Sequence, residues 1–307
     1  MGAAMAATWI DLLDPTPEEV RGKAPRELEE TAVQRLLAPP EHEDEPRPTL
    51  TGHGDYVFGI FLVAVAQPDE DSVYYQEIDV VLTHDTLLTV RKTPPGGQPA
   101  CEIAPIQKMQ RPDDSAGMLA YRLLDDIAER YLDLVDALDE EIDELEDRME
   151  TQPAEATRSR ISSLRHDLLH IRRTLSPMRD SVRRVIDNTV EVEEGPEVFP
   201  HEVEVAFNAA YDKFLRASDG LDLARDLLAG VRDYHQAKIA NDQNEVMKRL
   251  TVIASLLLLP TFIVGLYGQN FVDIPELRWH LGYAYVWGVI VATTAFQLWW
   301  FRRKRWF

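Results

Sequence analysis

Hydrophobic spacing along the chain changes from strand-like to helical, and the change separates two kinds of element. Tyr56–Val65, Tyr75–Leu82 and Thr86–Arg91 are apolar and rich in β-branched residues, with His84 and Asp85 as turn residues between the last two. They predict three strands. From Leu119 onward the apolar positions take helical spacing: Leu119, Leu123, Ile127, Tyr131, Leu134, Leu138, Ile142, Leu145 and Met149 share one face. Thr151–Thr157, containing Pro153, predicts a turn. A second helix follows, with Ile161, Leu164, Leu168, Ile171, Leu175 and Met178 on its apolar side. The pair reads as an antiparallel hairpin over about residues 118–190. Its first limb is crowded with carboxylates between Asp133 and Asp147, and its second carries Arg158, Arg160, Arg165, Arg172, Arg173 and Arg179. Such runs are either solvated charged faces or, on the acidic limb, a means of attracting cations. From His201 to Tyr267 only Gly220, Gly230 and Pro260 weaken a helical pattern. One helix of about 100 Å, at about 1.5 Å per residue, is expected there.

The last sixty or so residues contain two long runs without charge. The first extends from Leu250 through Val272 and the second from Leu281 to Phe301. Each is long enough to cross a hydrocarbon core of roughly 30 Å. Only a short loop lies between them. Lys248 and Arg249 precede the first span, and Arg302, Arg303, Lys304 and Arg305 follow the second. The excess of basic residues at these ends places both in the cytoplasm and the loop outside. Trp299, Trp300 and Trp306 suit the inner interface, Trp279 and Tyr283 the outer one.

The two spans differ in kind. The first carries Asn244, Met247, Thr251, Ala254, Leu258, Thr261, Gly265 and Gly268 at steps of three and four, which keeps them on one face. This stripe is either a packing face where small residues let helices approach or the lining of a pore. The second reading requires a homo-oligomer with a symmetry axis, because one helix encloses nothing. The second span carries Trp287, Phe296, Trp299 and Trp300, bulky residues suited to lipid.

Composition narrows the function classes. The 307 residues are 45% apolar and 28% charged, with a formal net charge of −21. That balance argues against general binding to nucleic acid and favours cations as partners. One cysteine, Cys101, excludes an internal disulfide and a thiolate cluster. Met1–Asp11 lacks the basic and apolar regions of a signal peptide. His166 and His170 are spaced as a metal pair but lie on a basic helix with no Glu between them. No phosphate-binding Gly-rich loop or nucleophile signature is present, so neither ATP-driven pumping nor enzyme chemistry is expected, and no organic cofactor.

Four motifs in order then carry a resemblance: Asn244-Glu245-Val246-Met247-Lys248, Pro260-Thr261-Phe262-Ile263, Tyr267-Gly268-Gln269-Asn270-Phe271 and Ile274-Pro275-Glu276-Leu277-Arg278-Trp279. With the basic end Arg302-Arg303-Lys304-Arg305-Trp306, they closely resemble the CorA family of magnesium channels. The resemblance extends back through Arg225-Asp226-Leu227-Leu228 and Asp233, the acidic hairpin, and Asp55-Tyr56-Val57-Phe58 to Arg47-Pro48. It implies an α+β membrane protein assembled as a funnel-shaped homopentamer, multi-pass in the cell membrane. Residues 1–200 would form a cytoplasmic α/β/α domain, 201–249 a stalk helix, and 250–272 the first transmembrane helix. An external loop at 268–280, a second transmembrane helix at 281–301 and a basic tail at 302–307 would follow.

The resemblance also implies roles. Gly268, Gln269 and Asn270 would form the selectivity filter. Asn244, Met247, Leu250, Ala254, Leu258 and Thr261 would line the pore, and Asp273 and Glu276 would gather cations outside it. Lys248 and Arg302, Arg303, Lys304 and Arg305 would form an inner basic ring. Asp233 would hold a regulatory Mg²⁺ between subunits. The transported ion would be Mg²⁺, with Co²⁺ or Ni²⁺ accepted and Zn²⁺ as the alternative cargo. Two positions depart from the family pattern. Gln269 stands where the family has Met, and the family's regulatory acid falls on Pro39-Pro40, leaving Glu41, Glu43 or Asp44 to substitute.

Overall fold

The computed structural model describes residues 7–40, 47–67, 72–94, 101–192, 197–270 and 274–306. It divides into two compact units, residues 1–232 and 233–307. In the first unit a five-stranded sheet runs β1 (Thr8–Leu13), β5 (Thr86–Arg91), β4 (Ser72–Leu82), β3 (Tyr56–Gln67), β2 (Thr49–His53). β1 lies parallel to β5, and the other neighbours are antiparallel. The three strands read from the sequence are therefore the centre of the sheet, and β1 and β2 are its edges.

Alternation along the strands sends side chains to two cores. On one face Tyr56, Phe58, Ile60, Val81, Leu88 and Val90 pack with Val20 of α1 (Pro17–Lys23) and with Val33 and Leu36 of α2 (Glu30–Leu37). On the other, Val57, Phe61, Val63, Ile78, Val80 and Leu87 join a larger core with α4 (Ala116–Arg148), α5 (Ala154–Ile186) and the first part of α6 (His201–Tyr267). A short α3 (Ile103–Gln107) leads into α4. The layers are α/β/α. Tyr131 of α4 ties three elements together: its buried hydroxyl donates 3.1 Å to the Leu62 carbonyl of β3 and lies 3.1 Å from the Thr174 hydroxyl of α5.

Local signals set the helix ends. Ser115 caps α4, its hydroxyl accepting from the Met118 amide at 3.2 Å. α5 begins at Ala154, inside the stretch read as a turn, because Pro153 stands at its N-cap and the proline's missing N–H costs a helix start nothing. Gly117 is required by a close approach: a methyl there would sit 2.4 Å from the Val198 carbonyl. In the first unit the buried face of α6 steps by fours and threes through Val203, Phe207, Ala210, Phe214, Ala217, Leu221, Ala224, Leu228 and Val231. Gly220 does not interrupt the helix.

Two charged clusters hold the sheet where its sequence looks only polar. Arg91 of β5 forks onto Asp11 of β1 at 2.6 to 3.2 Å, pinning the parallel edge. Deeper in, Lys92 Nζ lies 2.6 Å from Glu77 Oε1 and 2.8 Å from Asp79 Oδ2, all three side chains nearly sealed from solvent. Lys92 also donates to the Arg35 carbonyl at the end of α2, at 2.9 Å. Its directed hydrogen bonds go to Glu77 and that carbonyl, and neither Asp79 oxygen receives one. One ammonium thus faces two carboxylates. Burial, opposed by Lys92 and reinforced by Glu77, pushes the Asp79 carboxyl up to about 8.

The unfolded chain releases this proton near pH 3.8, and the folded one holds it to about pH 8. The contribution of Asp79 to stability is therefore full below the lower value and is lost progressively up to the higher one. Asp79→Asn should remove that loss. In thermal unfolding of the full chain in detergent, the variant should gain on the wild type between about pH 4 and about pH 8. Parallel pH profiles would show that Asp79 is ionised in the folded state at neutral pH.

Candidate functional site

In the second unit the helical segments are the remainder of α6, a short 3₁₀ helix (Pro275–Arg278) and α7 (Gly282–Arg303). Both α6 and α7 contain stretches long and apolar enough to cross a membrane. Without water to accept from backbone groups, a spanning segment must satisfy its own hydrogen bonds, and helices do so. Pro260 leaves α6 unbroken, and Thr251 and Thr261 return their hydroxyls to the Met247 and Leu257 carbonyls at 2.8 and 2.7 Å. Both threonines are polar residues that the helix itself satisfies.

The face of α6 turned toward α7 is not the stripe. Val252 and Ile263 are buried, and Ser255, Leu256 and Leu259 are half-buried. Gln297 of α7 donates to the Ser255 carbonyl at 3.2 Å. Asn244, Met247, Thr251, Ala254, Leu258, Thr261, Gly265 and Gly268 are all exposed, Leu258 at 72%. At about 100° per residue the two sets lie roughly half a turn apart. The stripe therefore is not the surface that holds this hairpin together. Leu250, at 58% exposure, borders it.

Gly268 ends α6, its amide donating to the Val264 carbonyl at 2.9 Å, and Gln269 and Asn270 follow it exposed. The chain returns through a turn built on backbone contacts. The Trp279 amide donates to the Glu276 carbonyl at 3.2 Å and the Gly282 amide to the Trp279 carbonyl at 3.1 Å. Gly282 has no room for a side chain, since a methyl there would meet the Glu276 carbonyl oxygen at 2.1 Å. Tyr267, Gly268, Glu276, Trp279, Tyr283 and Trp287 line a cleft of about 580 Å³ beside this turn. Glu276 is half-buried there. At the far end of α7, Arg303 lies 5.4 Å from the Trp299 ring centre and Lys304 5.9 Å from that of Trp300. Arg302, Arg305 and Lys248 are exposed.

Other expected site residues are placed as follows. Asp273, Glu41, Glu43 and Asp44 lie outside the described residues. Asp233 is exposed at the start of the second unit. Among the described residues no group of three or more His, Cys, Asp or Glu is arranged to hold a metal ion. A metal bound at Asp233 would thus need further ligands from the undescribed residues, from another copy, or from water. His166 and His170 stack on each other at 6.1 Å, and His170 also meets the Tyr75 ring edge-on at 5.0 Å. The pair is packed. Sequence reading missed Gly282, whose need arises only from the returning Glu276 carbonyl, and Gln297, whose partner is forty-two residues away.

A family model for CorA-like Mg²⁺ transporter protein matches residues 6–303. The cobalt/magnesium transport protein CorA of Thermotoga maritima is 29% identical over 264 residues, covering 85% of this chain and 73% of its own length. The zinc transport protein ZntB of Photorhabdus laumondii is 24% identical over 192 residues, 62% of this chain and 57% of its own. The solved structure of the CorA magnesium transporter from Methanocaldococcus jannaschii superposes with a TM-score of 0.78 at 21% identity, covering 97% of this chain and 91% of that one. That likeness is one of fold.

The turn geometry is testable by itself. Gly282→Ala should cost about 1–3 kcal/mol, because backbone must move to admit the methyl. Gly288→Ala in the same helix meets nothing within 4 Å and should leave the unfolding midpoint in detergent unchanged. Equal midpoints for the two variants would contradict the close approach.

Proposed function

Because the chain belongs to the CorA-like Mg²⁺ transporter family, we propose that it acts as a homopentameric channel admitting Mg²⁺ down the membrane potential. Membership makes it a divalent-cation transporter of the CorA superfamily, whose relatives are named as transport proteins. The ion, the number of subunits and the residues below are our reading. The observation that carries it is the exposed stripe of α6, which faces away from α7 and leads directly to Gly268-Gln269-Asn270.

Five such stripes around an axis would enclose a pore with α7 outside. Mg²⁺ gives up its water reluctantly. A ring of neutral Asn270 amide oxygens can hold the hydrated ion through its waters, whereas carboxylates there would bind tightly and slow release. Below it, rings of Leu258, Leu250 and Met247 form an apolar constriction that stops ions by dewetting. Asn244 gives a polar resting point at the inner end. Glu276 and Asp273 raise the cation concentration at the mouth. A divalent ion crossing about 100 mV gains roughly 4.6 kcal/mol, twice the value for one charge, so no coupled fuel is needed. In this arrangement both termini face the cytoplasm, and Lys248 with Arg302–Arg305 forms the inner basic ring. Asp233 would contribute to a regulatory Mg²⁺ site between copies, and Co²⁺ or Ni²⁺ would follow the same path.

A second reading is Zn²⁺ transport, favoured by Gln269 at the middle filter position and by the similarity to ZntB. The two readings differ in driving force. In liposomes holding the purified protein, Mg²⁺ influx should appear under an inside-negative potential and fall by about tenfold or more in Asn270→Ala, the cost of losing a filter ligand. Gln269→Met should keep Mg²⁺ flux and alter the ratio of Zn²⁺ to Mg²⁺. Flux that follows a pH gradient and carries Zn²⁺ alone would replace the magnesium reading.

A further inference from the structure

Two surfaces of the first unit remain without a role, and they match. The first is a groove of about 450 Å³ between α5 and the part of α6 from Leu221 to Arg232. Its floor is apolar, with Ile161, Leu168, Leu221 and Leu228 buried. Its rim carries Arg165 and Arg172 on α5 and Arg225 and Arg232 on α6. On each helix the arginines are seven residues apart, which stacks them in a row along the groove. Asp222 and Asp226 also line it, leaving an excess of two positive charges in a chain whose net charge is −21. The Arg172–Asp222 pair, at 2.8 Å, is about half exposed on both sides and so is weakly held.

The second surface is the outer face of α4. Asp133, Asp136, Glu140, Asp143, Glu144 and Asp147 are all exposed and follow one another at helical steps. The opposite face of α4 is buried through Leu134, Leu138, Ile142 and Leu145. The strip therefore points away from its own core and cannot reach into its own groove. Asp136, Glu140 and Asp143 span the same seven-residue repeat as Arg165 and Arg172, about 10 Å of helix.

We propose that the acidic strip of α4 in one copy seats in the arginine-lined groove between α5 and α6 of the next. This rests on the homo-oligomeric reading above and names a surface that builds the oligomer. Because the two surfaces differ and both lie on every chain, the contact is head-to-tail, and it closes into a ring when the rotation per copy allows. Cations facing carboxylates over an apolar floor set the register of such a contact, and salt weakens it, with a screening length of about 10 Å at 0.1 M.

The test uses the full chain in detergent. Arg165→Glu with Arg172→Glu, and separately Asp136→Lys with Glu140→Lys and Asp143→Lys, should each raise the concentration at which the oligomer dissociates by about tenfold or more. The chain carrying all five substitutions pairs reversed charges at every interface and should return to within a few-fold of the wild type. A five-fold variant no better than its parents, or parents that assemble as the wild type does, overturns the proposal. Glu140→Cys with Arg172→Cys adds an independent readout: oxidation should give a ladder beyond the dimer, and no ladder, or one that stops at the dimer, counts against a head-to-tail contact. Ion flux is measured in parallel. Oligomers that respond to the charge exchange but move no divalent cation would sink the transport reading and leave the interface standing.

Discussion

A helix in hydrocarbon has no water to satisfy its backbone, so it differs from its neighbours only in what its faces present. Everything specific about the second unit follows from α6 having two unlike faces between Asn244 and Gly268. Val252, Leu256, Leu259 and Ile263 form its covered face, and on that side Gln297 of α7 donates to the Ser255 carbonyl. The other face, stepping by threes and fours from Asn244 to Gly268, is left open. Its threonines are bonded back to the helix, so it offers a narrow, mostly apolar track that ends in the amides of Gln269 and Asn270. In a solitary hairpin this strip would meet only lipid, like the other exposed apolar residues of α6. In the proposed oligomer it would face the shared axis instead.

The first unit handles charge in the opposite way. Its net acidity is spread over exposed carboxylates such as those of α4, while its few interior charges are paired closely. Lys92 faces two carboxylates, and burial, reinforced by the neighbouring Glu77, pushes the Asp79 carboxyl up despite that ammonium. Replacing such a cluster with apolar residues is often neutral or stabilising in proteins generally, so its presence here is not explained by stability alone. It does fix the end of α2 against β4 through the Arg35 carbonyl. The arginines beside α6 are a separate feature, clustered on the surface where the surrounding chain is acidic.

Much of this was legible from local pattern. The central strands, both hairpin helices and the length of α6 were visible because each is a run of residues with one period and few breakers. The spans were visible because charge disappears over their whole length. What stayed hidden depends on distant pairing. β1 is six residues whose partner, β5, lies far along the chain, and its Asp11 becomes structural only beside Arg91. α1 and α2 are short and acquire their place from the smaller core. Nothing local distinguishes Glu77, Asp79 and Lys92 from surface charges. The filter and pore residues were read by resemblance to a family, whereas the orientation of the stripe away from α7 came from the fold.

If the exposed stripe of α6 lines a water-filled path shared between copies, cysteines substituted along it will meet water. Cys101 is buried, so an introduced thiol can be followed alone. Leu258→Cys and Thr261→Cys in proteoliposomes should react with a charged, water-soluble thiol reagent and lose cation flux on reaction. Leu256→Cys, on the side of α7, should stay unmodified and conduct normally. Flux that survives full modification at Leu258 and Thr261, or reactivity equal at all three positions, would show that the stripe lines no such path.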